Sequence, residues 1–228
     1  MPSQPNEGLI IKTYTDILKT VVLFADIEEH NILKLLSCLD ARTTQWKKGS
    51  FIISPDDIVD NVGIMLCGQL HIIKESSQGD RMIISTVSPG DMFAEALCFA
   101  GNVRSPISVV AETDAKIILF SYKNMLRTCG EFCEFHRKLN ENMMRVLASK
   151  NLHLQSRIDI LSNKTLRSKI MSYLLSQLKR EGELFTIPFN REELADFLCI
   201  DRSALSRELG RMKKEGIIDF WKNQFRIV

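Results

Sequence analysis

The chain has 228 residues, 45% hydrophobic and 25% charged, the balance of a soluble globular protein with room for one large domain or two ordinary ones. A formal charge of +2 excludes a polycation, and no apolar run reaches the roughly 18 residues that a membrane span needs. The charge is uneven, however: residues 162–228 hold 13 Lys and Arg against 9 Asp and Glu, which puts the basic surface, and any nucleic-acid partner, at the C-terminal end.

The opening residues show no basic stretch followed by an apolar one, so no export signal is expected. Six cysteines without CxxC spacing then read as reduced thiols in a cytoplasmic protein. Residues 9–40 predict helix. Asp26 and Glu29 have capping-box spacing and open the apolar stripe Ile32, Leu33, Leu35, Leu36 and Leu39.

From 42 to 122 the pattern changes to short β-rich runs at 51–53, 62–66, 70–73, 82–87, 107–110 and 116–120. Gly49, Pro55, Gly68, Gly79-Asp80 and Pro89-Gly90-Asp91 punctuate them, which predicts a small barrel or roll with tight hairpins at Gly68 and Gly79. Residues 131–161 lack Gly and Pro and return to helical spacing. Met144, Asn151 and Ile158 recur every seven residues, as do Leu147, Leu154 and Leu161. Such a repeat fits a two-helix seam through Leu147, Asn151, Leu154 and Ile158, with Asn151 setting register. Periodicity alone fits equally a single amphipathic helix packed on its own domain.

A helix over 165–181 precedes two shorter ones, 190–198 and 202–215, and then a hairpin to the C-terminus. Asn190 with Glu193 predicts a capping box, and Asp201 an N-cap. On the last helix Leu205, Leu209 and Met212 share one face. Arg202, Ser203, Ser206, Arg207, Gly210, Lys213 and Lys214 fall within roughly 140° of arc on another. A helix presenting Arg and Ser from its first two turns suits a major groove, since Arg pairs bidentately with guanine O6 and N7. Lys222 in the hairpin is placed for a phosphate. Charge alone would describe an ordinary solvated face; the tight spacing, the caps and the following hairpin favour DNA.

These residues carry a family resemblance over nearly the whole chain. Leu23-Phe24, Lys48-Gly49, Cys67-Gly68-Gln69-Leu70, Pro89-Gly90-Asp91-Met92-Phe93-Ala94-Glu95, Asn190–Leu198 and Asp201–Arg207 together resemble the Crp/Fnr regulators. The resemblance implies an α+β chain: a cupin-like β-roll sensor over 1–130, a long dimerisation helix over 131–161, and a winged helix-turn-helix over 162–228. It implies a homodimer on double-stranded DNA, reading an inverted repeat with Arg202, Ser203, Ser206 and Arg207, with Asn190 and Arg191 on phosphates and RNA polymerase as a protein partner. Relatives often carry Glu at the Ser203 position, so this chain departs from the familiar target there.

The same resemblance places a small-molecule effector at Glu95, Arg104 and Ser105, the cassette with which cyclic-nucleotide members hold ribose and phosphate. Ala94 stands where those members have Gly, Pro106 follows Ser105, and Leu154-Gln155 replaces the pair that receives adenine. An effector other than cyclic AMP is therefore expected, with cyclic AMP as the alternative and an internal Glu95–Arg104 ion pair as the structural one. Thiol sensing at Cys129 and Cys133, and haem sensing through His71, His153 or Pro2, are further alternatives with thinner support. Residues 42–122 hold a single histidine, so a metal-dependent cupin enzyme lacks its ligands. A cyclic-nucleotide module acting on a protein partner leaves Asn190–Val228 unexplained. Catalysis, a metal and a resident cofactor are not expected.

Overall fold

The computed structural model describes residues 14–75, 81–101, 103–127, 134–178 and 183–228. It divides into two compact units, Met1–Lys74 with Ser85–Lys150 and Glu75–Ile84 with Asn151–Val228. Gly79-Asp80, Cys129, Cys133, Gly182 and Pro2 lie outside the described residues.

In chain order, α1 (Thr15–Thr20), a 3-10 turn (Val22–Phe24) and α2 (Glu29–Cys38) precede eight strands. These are β1 (Arg42–Trp46), β2 (Phe51–Ile53), β3 (Asn61–Cys67), β4 (Leu70–Glu75), β5 (Arg81–Val87), β6 (Met92–Phe93), β7 (Ser108–Ala111) and β8 (Ala115–Ser121). They form two four-stranded sheets, ordered β1-β8-β3-β6 and β2-β7-β4-β5. Alternation along β3 explains its unbroken apolar run. Met65 points between the sheets with Leu70, Phe93, Val109 and Ile117. Val62, Ile64 and Leu66 point the other way, under α1, α2 and the long helix. Gly68, at φ 95°, turns β3 into β4 where a Cβ would fall 2.3 Å from the Asp114 carbonyl oxygen; the two strands lie in different sheets, so the turn carries the chain from one sheet to the other and does not close the hairpin expected there. Two short helices, α3 (Glu95–Ala100) and α4 (Tyr122–Leu126), follow β6 and β8.

The long helix α5 (Glu134–Ser162) leaves the first unit with Leu139, Met143 and Val146 in its core, and Asn142 Nδ2 donates to the carbonyls of Leu23 and Ala25 at 3.0 and 2.9 Å. In the second unit come α6 (Leu166–Gln177), β9 (Phe185–Thr186), α7 (Arg191–Leu198), α8 (Arg202–Lys214), β10 (Ile218–Trp221) and β11 (Gln224–Ile227), the strands ordered β10-β11-β9. Among the described residues no helix is long and apolar enough to cross a membrane.

Two further local expectations are corrected. Asp26 does not cap α2: it adopts φ 59°, the helix starts after Glu28, and no side chain caps it. Instead the Asp26 carboxylate lies 3.3 Å from Lys138. Strands β1 and β6 and the third wing strand β9 were not anticipated. β1 reads Arg-Thr-Thr-Gln-Trp, a half-exposed edge strand without an apolar face, and β6 and β9 are two residues each.

Candidate nucleic-acid interface and sensor site

α7 and α8 are built from their caps. Asn190 Oδ1 accepts from the backbone amides of Glu192 and Glu193 at 2.9 and 3.0 Å, and Glu193 Oε2 accepts from the Asn190 amide at 2.8 Å, completing the capping box. Cys199, at φ 53°, turns the chain, and Asp201 Oδ1 accepts from the Ala204 amide at 2.8 Å to open α8. Leu205, Leu209 and Met212 are fully buried against Leu194, Ala195 and Leu198 of the same unit's core. Arg202, Ser203, Ser206 and Arg207 are all exposed, as are Lys213 and Lys214. The Ser203 hydroxyl donates to Asp201 Oδ1 at 2.6 Å. With its proton so held, that hydroxyl presents lone pairs outward and suits a base-edge amino group.

The other two expected DNA residues are partly engaged inside the unit. Asn190 spends its side-chain oxygen on the capping box. The Arg191 guanidinium lies 5.0 and 5.7 Å from the ring centres of Phe220 and Phe225, and donates to the Lys222 carbonyl at 3.3 Å.

Three supporting cations were invisible to motif reading. Arg167, at the start of α6, reaches Glu208 at 2.6 Å and spans both oxygens of Glu215 at 2.6 and 3.0 Å, tying α6 along α8. These bonds hold the Glu215 carboxyl below its ordinary range. Arg157 of α5 is buried, and among the described residues no carboxylate pairs with it: it stacks 4.0 Å over Phe197 and donates to the carbonyls of Phe197 and Ile83. Burial lowers its pKa, as desolvation of a cation must.

The third is Lys150, at the sensor cassette. Glu95 is 3% exposed, and its Oε1 meets Lys150 Nζ at 2.7 Å while the same ammonium donates to the Met92 carbonyl. Arg104 is elsewhere engaged, donating to the Asp56 carbonyl at 3.2 Å, and its backbone bridges Ile58. Ser105 is buried with its hydroxyl donating to the Ile107 carbonyl at 2.7 Å. The three cassette residues thus each hold a different partner, and the internal Glu95–Arg104 pair weighed from sequence is replaced by Glu95–Lys150. Ala94 keeps the left-handed backbone that a glycine would supply, at φ 68°.

The residues expected to form a seam on α5 differ in exposure, and Leu147 packs against the first unit's own core. Met144, Leu154 and Ile158 are 71, 49 and 64% exposed, Asn151 is exposed and Leu147 half-buried. Among possible sensor groups, His71 is buried on β4 with Nδ1 3.8 Å from Glu112, and His153 is exposed on α5. Burial pushes the Cys98 thiol up to about 12, which keeps it protonated at neutral pH.

Two family models match the chain: the cyclic nucleotide-binding domain over residues 43–132 and the Crp-like helix-turn-helix domain over 168–228. The fold and the reading head therefore define an effector-sensing module joined to a DNA-binding one. Among curated proteins the chain is 24% identical over 180 residues to the nitrogen fixation regulation protein FixK of Azorhizobium caulinodans, covering 76% of this chain and 69% of FixK. It is 25% identical over 90% of its length to cGMP-dependent protein kinase 2 of Rattus norvegicus, but spans only 26% of that kinase. Its fold is shared with the structure of a CooA mutant from Carboxydothermus hydrogenoformans, at TM-score 0.69, 20% identity, and coverage of 89% of this chain and 92% of that one. The chain belongs to the Crp/Fnr family of transcription regulators.

Proposed function

We propose that this effector-controlled regulator acts as a homodimer on an inverted-repeat DNA site, in the cytoplasm. The observation that carries the reading is α8 itself: a helix capped at Asp201, buried through Leu205, Leu209 and Met212, with Arg202, Ser203, Ser206 and Arg207 exposed from its first two turns. Arg207 is the candidate for a guanine in each half-site, and Ser203 offers an acceptor to a cytosine or adenine amino group. The exposed stripe Met144, Asn151, Leu154 and Ile158, with Leu147 at its edge, supports pairing of two α5 helices. Two copies so joined would set their reading heads on half-sites about one helical turn, roughly 34 Å, apart.

The effector we infer is not a cyclic nucleotide, because Lys150 occupies the carboxylate that would receive a ribose hydroxyl and Ser105 is turned to a backbone carbonyl. Selection of bound sequences from a random duplex pool tests the DNA reading: a two-fold symmetric motif supports it, and a pool that never enriches rejects it. Isothermal titration with cyclic AMP tests the sensor reading: no heat is expected, and micromolar binding lost in Arg104→Ala would refute it.

A further inference from the structure

We propose that Arg157 clasps the reading head to α5 and thereby sets the half-site spacing that the dimer accepts. The inference rests on the homodimer and DNA readings above and adds to them a positioning residue outside α8. All the groups involved belong to the second unit. Along residues 151–160 of α5 only Arg157 and Ile160 are buried, three residues apart. Leu154 and Ile158, 49 and 64% exposed and four apart, lie on another face. One stretch of helix thus turns the expected seam outward and meets the rest of its unit with a different side.

The clasp reaches two other elements at once. Arg157 Nη2 donates to the carbonyl of Phe197 at 3.0 Å and to that of Ile83 in β5. Phe197 stands in the last turn of α7, where carbonyls lack partners within the helix and a cation is favoured. The guanidinium also covers the Phe197 ring, which packs on Tyr173 of α6 at 5.2 Å and on Phe189 at 4.8 Å. α7 fixes α8 in turn, through the Cys199 turn and the buried Leu194, Ala195 and Leu198. Asn163 supports the same corner from the α6 side, where its Nδ2 donates to Ser172 Oγ at 3.1 Å.

Stability alone does not call for an arginine at this position. Burying a cation is costly, and Nη1 is buried with no acceptor among the described residues. An apolar side chain of similar length would fill the same space. It would not hold carbonyls of two other elements, and the rigid fork of a guanidinium fixes direction as well as distance. A dimer on an inverted repeat needs that fixity. One base pair inserted between half-sites moves one of them by about 3.4 Å and turns it by roughly 35°. A head free to swing on α5 follows such a change, and a clasped head does not.

The experiment measures the affinity of wild-type, Arg157→Met and Arg157→Lys proteins for a duplex selected by the wild-type chain. The same proteins are titrated with duplexes that gain or lose one base pair between the half-sites, and with single-base variants inside a half-site. Far-ultraviolet dichroism and light scattering check fold and dimer. Arg157→Met is expected to bind the selected duplex about tenfold more weakly and to lose most of the wild-type preference for its spacing. Its base preferences within each half-site should stay those of the wild type. Arg157→Lys, which can reach a carbonyl but offers no plane to Phe197, should fall between the two. A folded, dimeric Arg157→Met that keeps the wild-type spacing preference overturns the proposal, and so does an equal loss on every duplex; both leave the α8 reading standing. Should Arg157→Met not fold, the same outcomes are read on Arg157→Lys. Failure of the wild-type chain to bind any duplex overturns both readings.

Discussion

At Ala94 the chain keeps a left-handed backbone, φ 68° and ψ −3°, that costs an L-residue roughly 1–2 kcal/mol and glycine almost nothing. Replacing Ala94 by glycine removes that strain but adds unfolded-state entropy of roughly 0.4–1 kcal/mol. Ala94→Gly is therefore predicted to stabilise the first unit by under about 1 kcal/mol, read as a small rise in thermal midpoint. A fall would show that the left-handed geometry is not strained. Beside it, Glu95 is buried and depends on Lys150. Removing the ammonium leaves a buried carboxylate uncompensated, which in a fully enclosed pair costs about 3–5 kcal/mol. Lys150 is 36% exposed on its side chain, so water compensates in part and we expect about 1–2 kcal/mol for Lys150→Ala. Glu95→Gln in the same background should recover much of that loss in a denaturant melt; no recovery would mean that Lys150 acts through packing alone.

At the scale of elements, α8 depends on charged groups at both ends. Asp201 is held below the ordinary aspartate range, first by the Ser203 hydroxyl and then by the Ala204 amide; Glu215 is held low by Arg167. A depressed carboxyl contributes stability above its unfolded pKa and loses it as pH falls through the folded one. The α6–α8 packing should thus be intact at neutral pH and weaken only in acid, below the ordinary carboxylate range. Glu215→Gln should flatten that acid limb in a pH series of melts, and an unchanged limb would contradict the assignment. The caps of α7 and α8 were legible from sequence because capping is local: Asn190 and Glu193 are three residues apart, and so are Asp201 and Ala204. The same local rule misfired at Asp26, where a left-handed backbone and Lys138 override it. Strand β1 escaped because its residues satisfy an edge, where apolar alternation is not required. Lys150–Glu95 and Arg167–Glu208 escaped because each pair joins elements distant in sequence, and a lone lysine or arginine on a helix carries no mark of its partner.

For the whole molecule, the proposal requires two copies. The exposed apolar residues of α5 are predicted to form the seam, so Leu154→Glu with Ile158→Glu should give a folded monomer by light scattering with unchanged far-ultraviolet dichroism. A dimer that survives both charges would place the seam elsewhere. Dimerisation matters for control because an effector shifts an equilibrium only by its differential affinity for the two states. The carbonyl bonds of Arg157 in the second unit and the Glu95–Lys150 pair in the first both anchor the C-terminal half of α5, the first through a buried cation and the second through a half-buried one.

The most direct test of the reading head is the affinity of wild-type and Arg207→Ala proteins for the selected duplex and for single-base variants at every position. Arg207→Ala is predicted to cost about 1–3 kcal/mol on the selected duplex and to abolish discrimination at one symmetric pair of positions, leaving the others intact. Equal affinity of the two proteins, or a loss spread evenly over all positions, would contradict the assignment of α8 as the helix that reads the sequence.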